Sequence, residues 1–447
     1  MTLIPSTVRI GAGAGFSGDR LEPALELVEQ GNLDFLVFEC LAERTIALAQ
    51  EARRRDPAGG YDPLLIERMR RVLPAARARG VRIITNAGAA NPLGAAHALA
   101  GLARDLGLGP IRIAAVLGDD VLAQIKAAPH PLIERPGSTA DFAELVSANA
   151  YLGAAPIVDA LDEGAEIVVT GRVGDPALFV GPLAHAFRWR LDDADLIGRA
   201  TVIGHLLECA GQLSGGYFAD GDRKQVAGLA RLGFPLAEVD ADAGAILTKV
   251  PGSGGCISIA TCKEQLLYEI LDPAAYYQAD VIADFTGVHF EELGPDRIRV
   301  HGGSGRPASG LYKVSLGHDE GYIGEGQISY AGPHAVQRGR MAIDIVRERL
   351  AITGAKVADV HGELIGVDSV DRTDRIGGEP REVRARIAGR ADDEQSAAAI
   401  GAEVEALYTN GPAGGGGASR SVRRIIGIVS TFIRADLVTP RVEFVEG

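Results

Sequence analysis

Over the first 220 positions, short apolar runs alternate with longer stretches in which apolar residues recur every three or four places. The runs at 8–12, 34–40, 81–87, 111–117 and 166–170, with a weaker one near 144–148, predict strands. The stretches at 21–30, 41–55, 64–79, 91–106 and 154–161 predict helices. Alternation of this kind means βαβ units and a mostly parallel sheet flanked by helices, the α/β class. Near Gly216 the pattern changes to short strands with alternating or β-branched character, at 245–250, 281–289, 297–300, 312–316 and 323–330. Helical runs at 334–350 and 393–408 follow, each succeeded by a strand-like segment, at 358–365 and 424–433. The reading is a Rossmann-like α/β domain over 1–220 and an α+β domain over 221–447 with a mixed or antiparallel sheet. The low-complexity stretch Ala413-Gly-Gly-Gly-Gly-Ala-Ser is expected to be a mobile loop.

Composition narrows the function classes. A net charge of −14 argues against nucleic acid as a partner, because phosphate would be repelled without a large basic patch. The four cysteines (Cys40, Cys209, Cys256, Cys262) lack ligand spacing and fit reduced thiols in a cytoplasmic protein. No apolar run approaches the ~18 residues of a membrane span, so no membrane partner is expected. A small-molecule substrate is the expected partner, and a dimer or larger homo-oligomer the expected assembly.

Chemistry concentrates between residues 166 and 220. An apolar strand ends at Gly171, and Arg172-Val-Gly-Asp175-Pro176 opens the next helix, with Asp175 a candidate cap and Pro176 its first residue. Ligands of open α/β sheets sit at the carboxyl ends of strands, and the planar fork of Arg172 matches a carboxylate or phosphate. The alternative for Arg172 is a structural ion pair with Asp175. His205 and Glu208, spaced i, i+3, share a helix face and form an acid/base pair, a pair of metal ligands for a divalent ion, or a hydrogen bond inside a core helix. Asn86, at a strand end, and Tyr217, near the expected domain boundary, are candidates to polarise a carbonyl. Asn91, before Pro92, reads as a helix cap.

Two glycine loops are candidate anion holders. Gly13-Ala-Gly15-Phe-Ser17-Gly18-Asp19 satisfies G-x-G-x-x-G, and Glu39 ends the second strand where a ribose-binding acid belongs. That pattern supports an NAD(P)-dependent oxidoreductase as an alternative function. Against it, the helix starts only around 19–22, and Asp19 puts a carboxylate where a pyrophosphate needs bare N–H groups. The second loop, Lys249-Val-Pro-Gly-Ser-Gly254-Gly255, is either an anion cradle or a plain connector.

Taken together, Ile10-Gly-Ala-Gly-Ala-Gly-Phe-Ser-Gly-Asp19, Leu36-Val-Phe-Glu-Cys-Leu-Ala-Glu43, Ile84-Thr-Asn-Ala-Gly-Ala-Ala-Asn-Pro92, Val169-Thr-Gly-Arg-Val-Gly-Asp175, Gly204-His-Leu-Leu-Glu-Cys209 and Gly324-Glu-Gly-Gln-Ile-Ser-Tyr-Ala-Gly-Pro333 resemble the acyclic terpene utilisation family. The resemblance implies a cytoplasmic catabolic role among enzymes that handle branched acyl-CoA thioesters. It brings no agreed catalytic set. Many relatives continue into a small extra α/β domain, and any function that needs it would here come from a separate partner or be absent. The expected function is hydration, dehydration or C–C cleavage of a small carboxylate or acyl-CoA. A non-catalytic acyl-CoA-binding or scaffold subunit is the third alternative.

Overall fold

The computed structural model describes residues 4–371 and 380–447. It divides into two compact units, Met1–Gly317 with Ile428–Gly447, and His318–Gly427.

In the first unit, strands β1 (Thr7–Ala14), β2 (Phe35–Phe38), β3 (Arg82–Thr85), β4 (Arg112–Leu117), β5 (Leu145–Ala150) and β6 (Ile167–Thr170) come with helices α1 (Glu22–Gln30), α2 (Glu43–Arg55), α3 (Leu65–Arg79), α4 (Pro92–Asp105), α5 (Leu122–Ala127) and α6 (Ala155–Asp162). Helices α7 (Ala177–Phe187) and α8 (Ala194–Glu208), strands β7 (Pro235–Asp240) and β8 (Ala245–Lys249), and helix α9 (Ile259–Leu267) follow. Strands β1, β2, β3, β6 and β4 lie side by side in that order, all parallel. Every residue of β2 and β6 is buried, as expected for strands covered on both faces. Helices α1, α3 and α4 pack together as one layer and α6, α7 and α8 as the other.

The sheet continues to ten strands through antiparallel neighbours. Beyond β1 come β7, β8, Arg297–His301 and His289–Gly294, and beyond β4 comes Arg441–Glu446. The boundary expected near residue 220 therefore falls inside the first unit, because β7 and β8 hydrogen-bond into the sheet that β1 begins. After Gly171 the chain forms two helices, α7 and α8, separated where Arg188 takes a left-handed conformation (φ 59°). Gly204 lets α8 approach closely, since a Cβ there would come within 2.9 Å of the Pro176 backbone. Asn91 caps α4 by accepting from the Gly94 N–H at 3.0 Å, with Pro92 as its first residue.

The second unit is α+β with an antiparallel sheet, as the sequence indicated. Its strands run Ala358–Ile365, Glu382–Ala391, Leu311–Ala331 and Gly416–Arg434 in spatial order, the two long ones passing beyond the unit. Helices Ala335–Thr353 and Glu394–Asn410 pack on Glu382–Ala391, where Val383, Ala385 and Ile387 are buried and Arg384, Arg386 and Arg390 alternate with them. Gly416, expected in a mobile loop, opens a strand. Tyr330 lies fully buried in this unit's core.

Candidate functional site

Because the five central strands are parallel, the residues just after their carboxyl ends collect along one edge of the sheet. Gly15 follows β1, Glu39 follows β2, Asn86 follows β3, Asp119 comes after β4, and Arg172 comes after β6. Above this edge lies a cavity of about 880 Å³, lined by residues of the first unit only. Ligands of open α/β sheets bind in this position.

Glu39 is 9% exposed and lines the cavity. Its Oε1 accepts from the Leu41 N–H and from Asn86 Nδ2, both at 2.8 Å, and among the described residues no donor reaches Oε2. Burial, then the nearby charge of Asp175, pushes its pKa up to about 8, against the opposing pull of Arg172 and of its hydrogen bonds. Across the cavity, Glu208 at the end of α8 has its Oε1 2.9 Å from His205 Nδ1. Its Oε2 is buried with no partner among the described residues. Burial raises its pKa to about 7, with His205 opposing and Asp175 and Glu269 adding to the rise. Asp175, about one-third exposed, thus acts on both carboxyls, and its own pKa is raised by burial and held back by Arg172.

Arg172 lies in the cavity wall at 1% exposure. Its Nε donates to the Val173 carbonyl at 2.9 Å, its other nitrogens bond the Leu41 carbonyl and Asp175, and its plane sits 4.5 Å from the Tyr151 ring centre. Burial disfavours its charge, yet Asp175, Tyr151 and Glu39 outweigh burial and raise its pKa. The guanidinium is thus committed to protein acceptors, and it fixes the cavity wall. Asp175 correspondingly bonds Arg172 instead of capping α7. At the cavity's other side, Lys313 Nζ and Tyr151 OH both donate to Glu43 Oε1, at 2.7 and 2.9 Å. Arg44, on the first turn of α2, lines the cavity with no hydrogen-bond or ion-pair partner among the described residues. The N-terminus of α2 has no side-chain cap.

The remaining expected site residues have other places. His205 is buried behind Glu208, its Nε2 3.2 Å from the Leu266 carbonyl and its ring packed against Tyr276 and Phe285. Asn86, fully buried, accepts from the Cys40 N–H at 2.6 Å and donates to Glu39, and it is not among the residues that line the cavity. Tyr217 is 88% exposed and off the cavity, its ring edge-on to cavity-lining Tyr268.

Gly15 lines the cavity, and a Cβ there would stand 2.6 Å from the Cys209 carbonyl carbon. Gly13 packs beneath, against the Phe38 ring. Ser17 gives its carbonyl to buried Arg68. Asp19 accepts from the Gly15 N–H at 2.9 Å, and α1 begins only at Glu22. An N–H that a pyrophosphate would require is therefore taken. The loop after β8 is no anion cradle. Gly254 N–H donates to the Arg231 carbonyl, Gly255 N–H to the Ala227 carbonyl, and Lys249 is buried against the Ser253 carbonyl and Asp296.

The sequence offers Glu39 as a ribose-binding acid and carries no motif that marks Arg44, Tyr151 or Lys313. The signal for Glu39 was its place after a strand, the same place that drew attention to Arg172. Among the described residues, no three His, Cys, Asp or Glu side chains are arranged to hold a metal ion. None of the described helices is long and apolar enough to cross a membrane.

No curated protein and no solved structure matches the chain. The acyclic terpene utilisation family protein AtuA is matched over residues 8–444, which takes in every element that builds the cavity. The chain belongs to the acyclic terpene utilisation family AtuA.

Proposed function

We propose that the protein is an enzyme acting on a small carboxylate or branched acyl-CoA thioester, adding or removing water or cleaving a C–C bond by proton transfer beside the acyl carbonyl. One observation carries this reading. Two carboxyls, Glu39 and Glu208, each have one oxygen tied back to protein and line one cavity with the other oxygen unpartnered. Burial holds both near neutrality, at about 8 and about 7, where a group both gives and takes protons efficiently. Elimination of water needs such a pair, one group to remove a proton from carbon and one to protonate the departing hydroxyl.

Arg44, Lys313 and the uncapped start of α2 would receive the ligand's anionic part. Arg172 and Asn86 hold the geometry. The test is thermal stabilisation by CoA, branched acyl-CoAs, short branched carboxylates, NAD(H) and NADP(H). A ligand at about 100 times its Kd should add roughly 2.7 kcal/mol. Stabilisation by acyl compounds, with loss of their α-hydrogens to D2O in the wild type and not in Glu208→Gln, is the expected result. Stabilisation by nicotinamides alone would overturn the reading.

A further inference from the structure

The contacts of His205 fix more than its position. The Leu266 carbonyl can only accept, so Nε2 of His205 carries a hydrogen. The 2.9 Å contact between Nδ1 and Glu208 Oε1 then holds one proton, written either as imidazolium with carboxylate or as neutral imidazole with carboxylic acid. The other carboxyl oxygen, Oε2, is buried and unpartnered on a residue that lines the cavity. His205 itself is 1% exposed, walled off by the rings of Tyr276 and Phe285, each centred 5.4 Å away. Gln265, from α9, donates to the His205 carbonyl and holds that stretch of α8 in place.

We infer that His205 and Glu208 form a one-proton dyad in which Glu208 is the catalytic group, taking a proton from the ligand at Oε2, while His205 is a positioning residue that holds the first proton out of reach of solvent. This rests on the proposed reaction class and adds where the abstracted proton goes. The C–H bond breaks and its electron pair stays with the ligand, delocalised onto the acyl oxygen. The hydrogen joins Oε2, and the proton on the shared bond settles on Nδ1. The dyad then holds two protons and returns one on the reverse or completing step, with no oxidant or reductant involved. The charged and titratable groups facing Glu208 are Asp175 from the start of α7, Glu269 from the segment after α9, and its neighbour Cys209. Tyr276 faces the His205 ring.

The test needs no ligand, so the dyad and the reaction class can fail separately. Protein labelled with ¹⁵N-histidine is followed by NMR from pH 5 to 9, with the His205 ring assigned by its disappearance in His205→Gln. If that variant does not fold, the ring is assigned by through-space contacts to Tyr276 and Phe285. The expected result is a hydrogen on Nε2 throughout and a proton shared between Nδ1 and Glu208 Oε1, read as a far-downfield Nδ1–H resonance that is lost in Glu208→Gln. A bare Nε2 in the wild type would overturn the inference, whatever the variant does. So would a far-downfield Nδ1–H resonance that persists in Glu208→Gln.

Discussion

Replacing Glu39 with glutamine removes a proton-binding group but leaves an oxygen to accept from Leu41 N–H and Asn86 Nδ2. In the wild type that carboxyl keeps its proton to about pH 8 when folded, against an ordinary 4.5. The sign follows from linkage. Between these values the folded state binds a proton that the unfolded state has lost, so stability falls as pH rises. At about 1.4 kcal/mol per pH unit, one proton held over this range sets a ceiling of about 5 kcal/mol. Asp175 and Arg172 share the adjustment, so the expected value is about 2–4 kcal/mol. Urea unfolding of both proteins from pH 4.5 to 9 reads the difference directly, and effects common to both cancel. The two stabilities should coincide near pH 4.5, and the glutamine protein should then gain steadily until about pH 8, where the gap levels. A gap independent of pH, or a wild type that is the more stable protein at pH 8, would refute the reasoning. The expected gain would also mean that this carboxyl is kept at a cost to stability.

Three further outcomes follow from the same geometry. Asn86→Ala leaves the buried Cys40 N–H unpaired and should cost about 1–3 kcal/mol in urea unfolding, with Glu39 losing a donor that favours its charged form. Gly15→Ala forces a Cβ against the Cys209 backbone and should cost about 1–3 kcal/mol in the same assay. It should also abolish ligand-induced thermal stabilisation. Arg44→Ala removes an exposed side chain without a partner among the described residues, so urea unfolding should change by less than about 0.5 kcal/mol. Titration calorimetry with the anionic ligand found by thermal screening should show roughly tenfold weaker binding or worse.

Much of the first unit was legible because its strands are buried on both faces and its helices on one, which imposes two different periods on the sequence. The expected helix at 64–79 and the observed Leu65–Arg79 differ by a single residue. Strand β7 is hidden in the sequence because it opens with Pro235 and mixes Glu238 into an apolar run. Glu382–Ala391 is hidden because its outward positions are arginines and several inward ones are small. The i, i+3 spacing put His205 and Glu208 together, but which of them meets the cavity is decided by residues 266–285, which cover the imidazole. The fate of the Gly254 and Gly255 N–H groups depends on carbonyls at Ala227 and Arg231, more than twenty residues earlier in the chain. Asn86 was legible as a polar residue at a strand end, yet its partner, Glu39, sits 47 positions away.

The strand Arg441–Glu446, which covers the open edge of β4, has a consequence for synthesis. On a ribosome β4 emerges more than three hundred residues before its outer neighbour, and the whole of His318–Gly427 must be made in between. For that interval the nascent sheet ends in unpaired backbone groups on an apolar strand, a template for pairing with another chain. The growing polypeptide should therefore depend on holding chaperones until its final residues emerge. Truncation before Arg441 should yield insoluble protein even though every cavity residue is present.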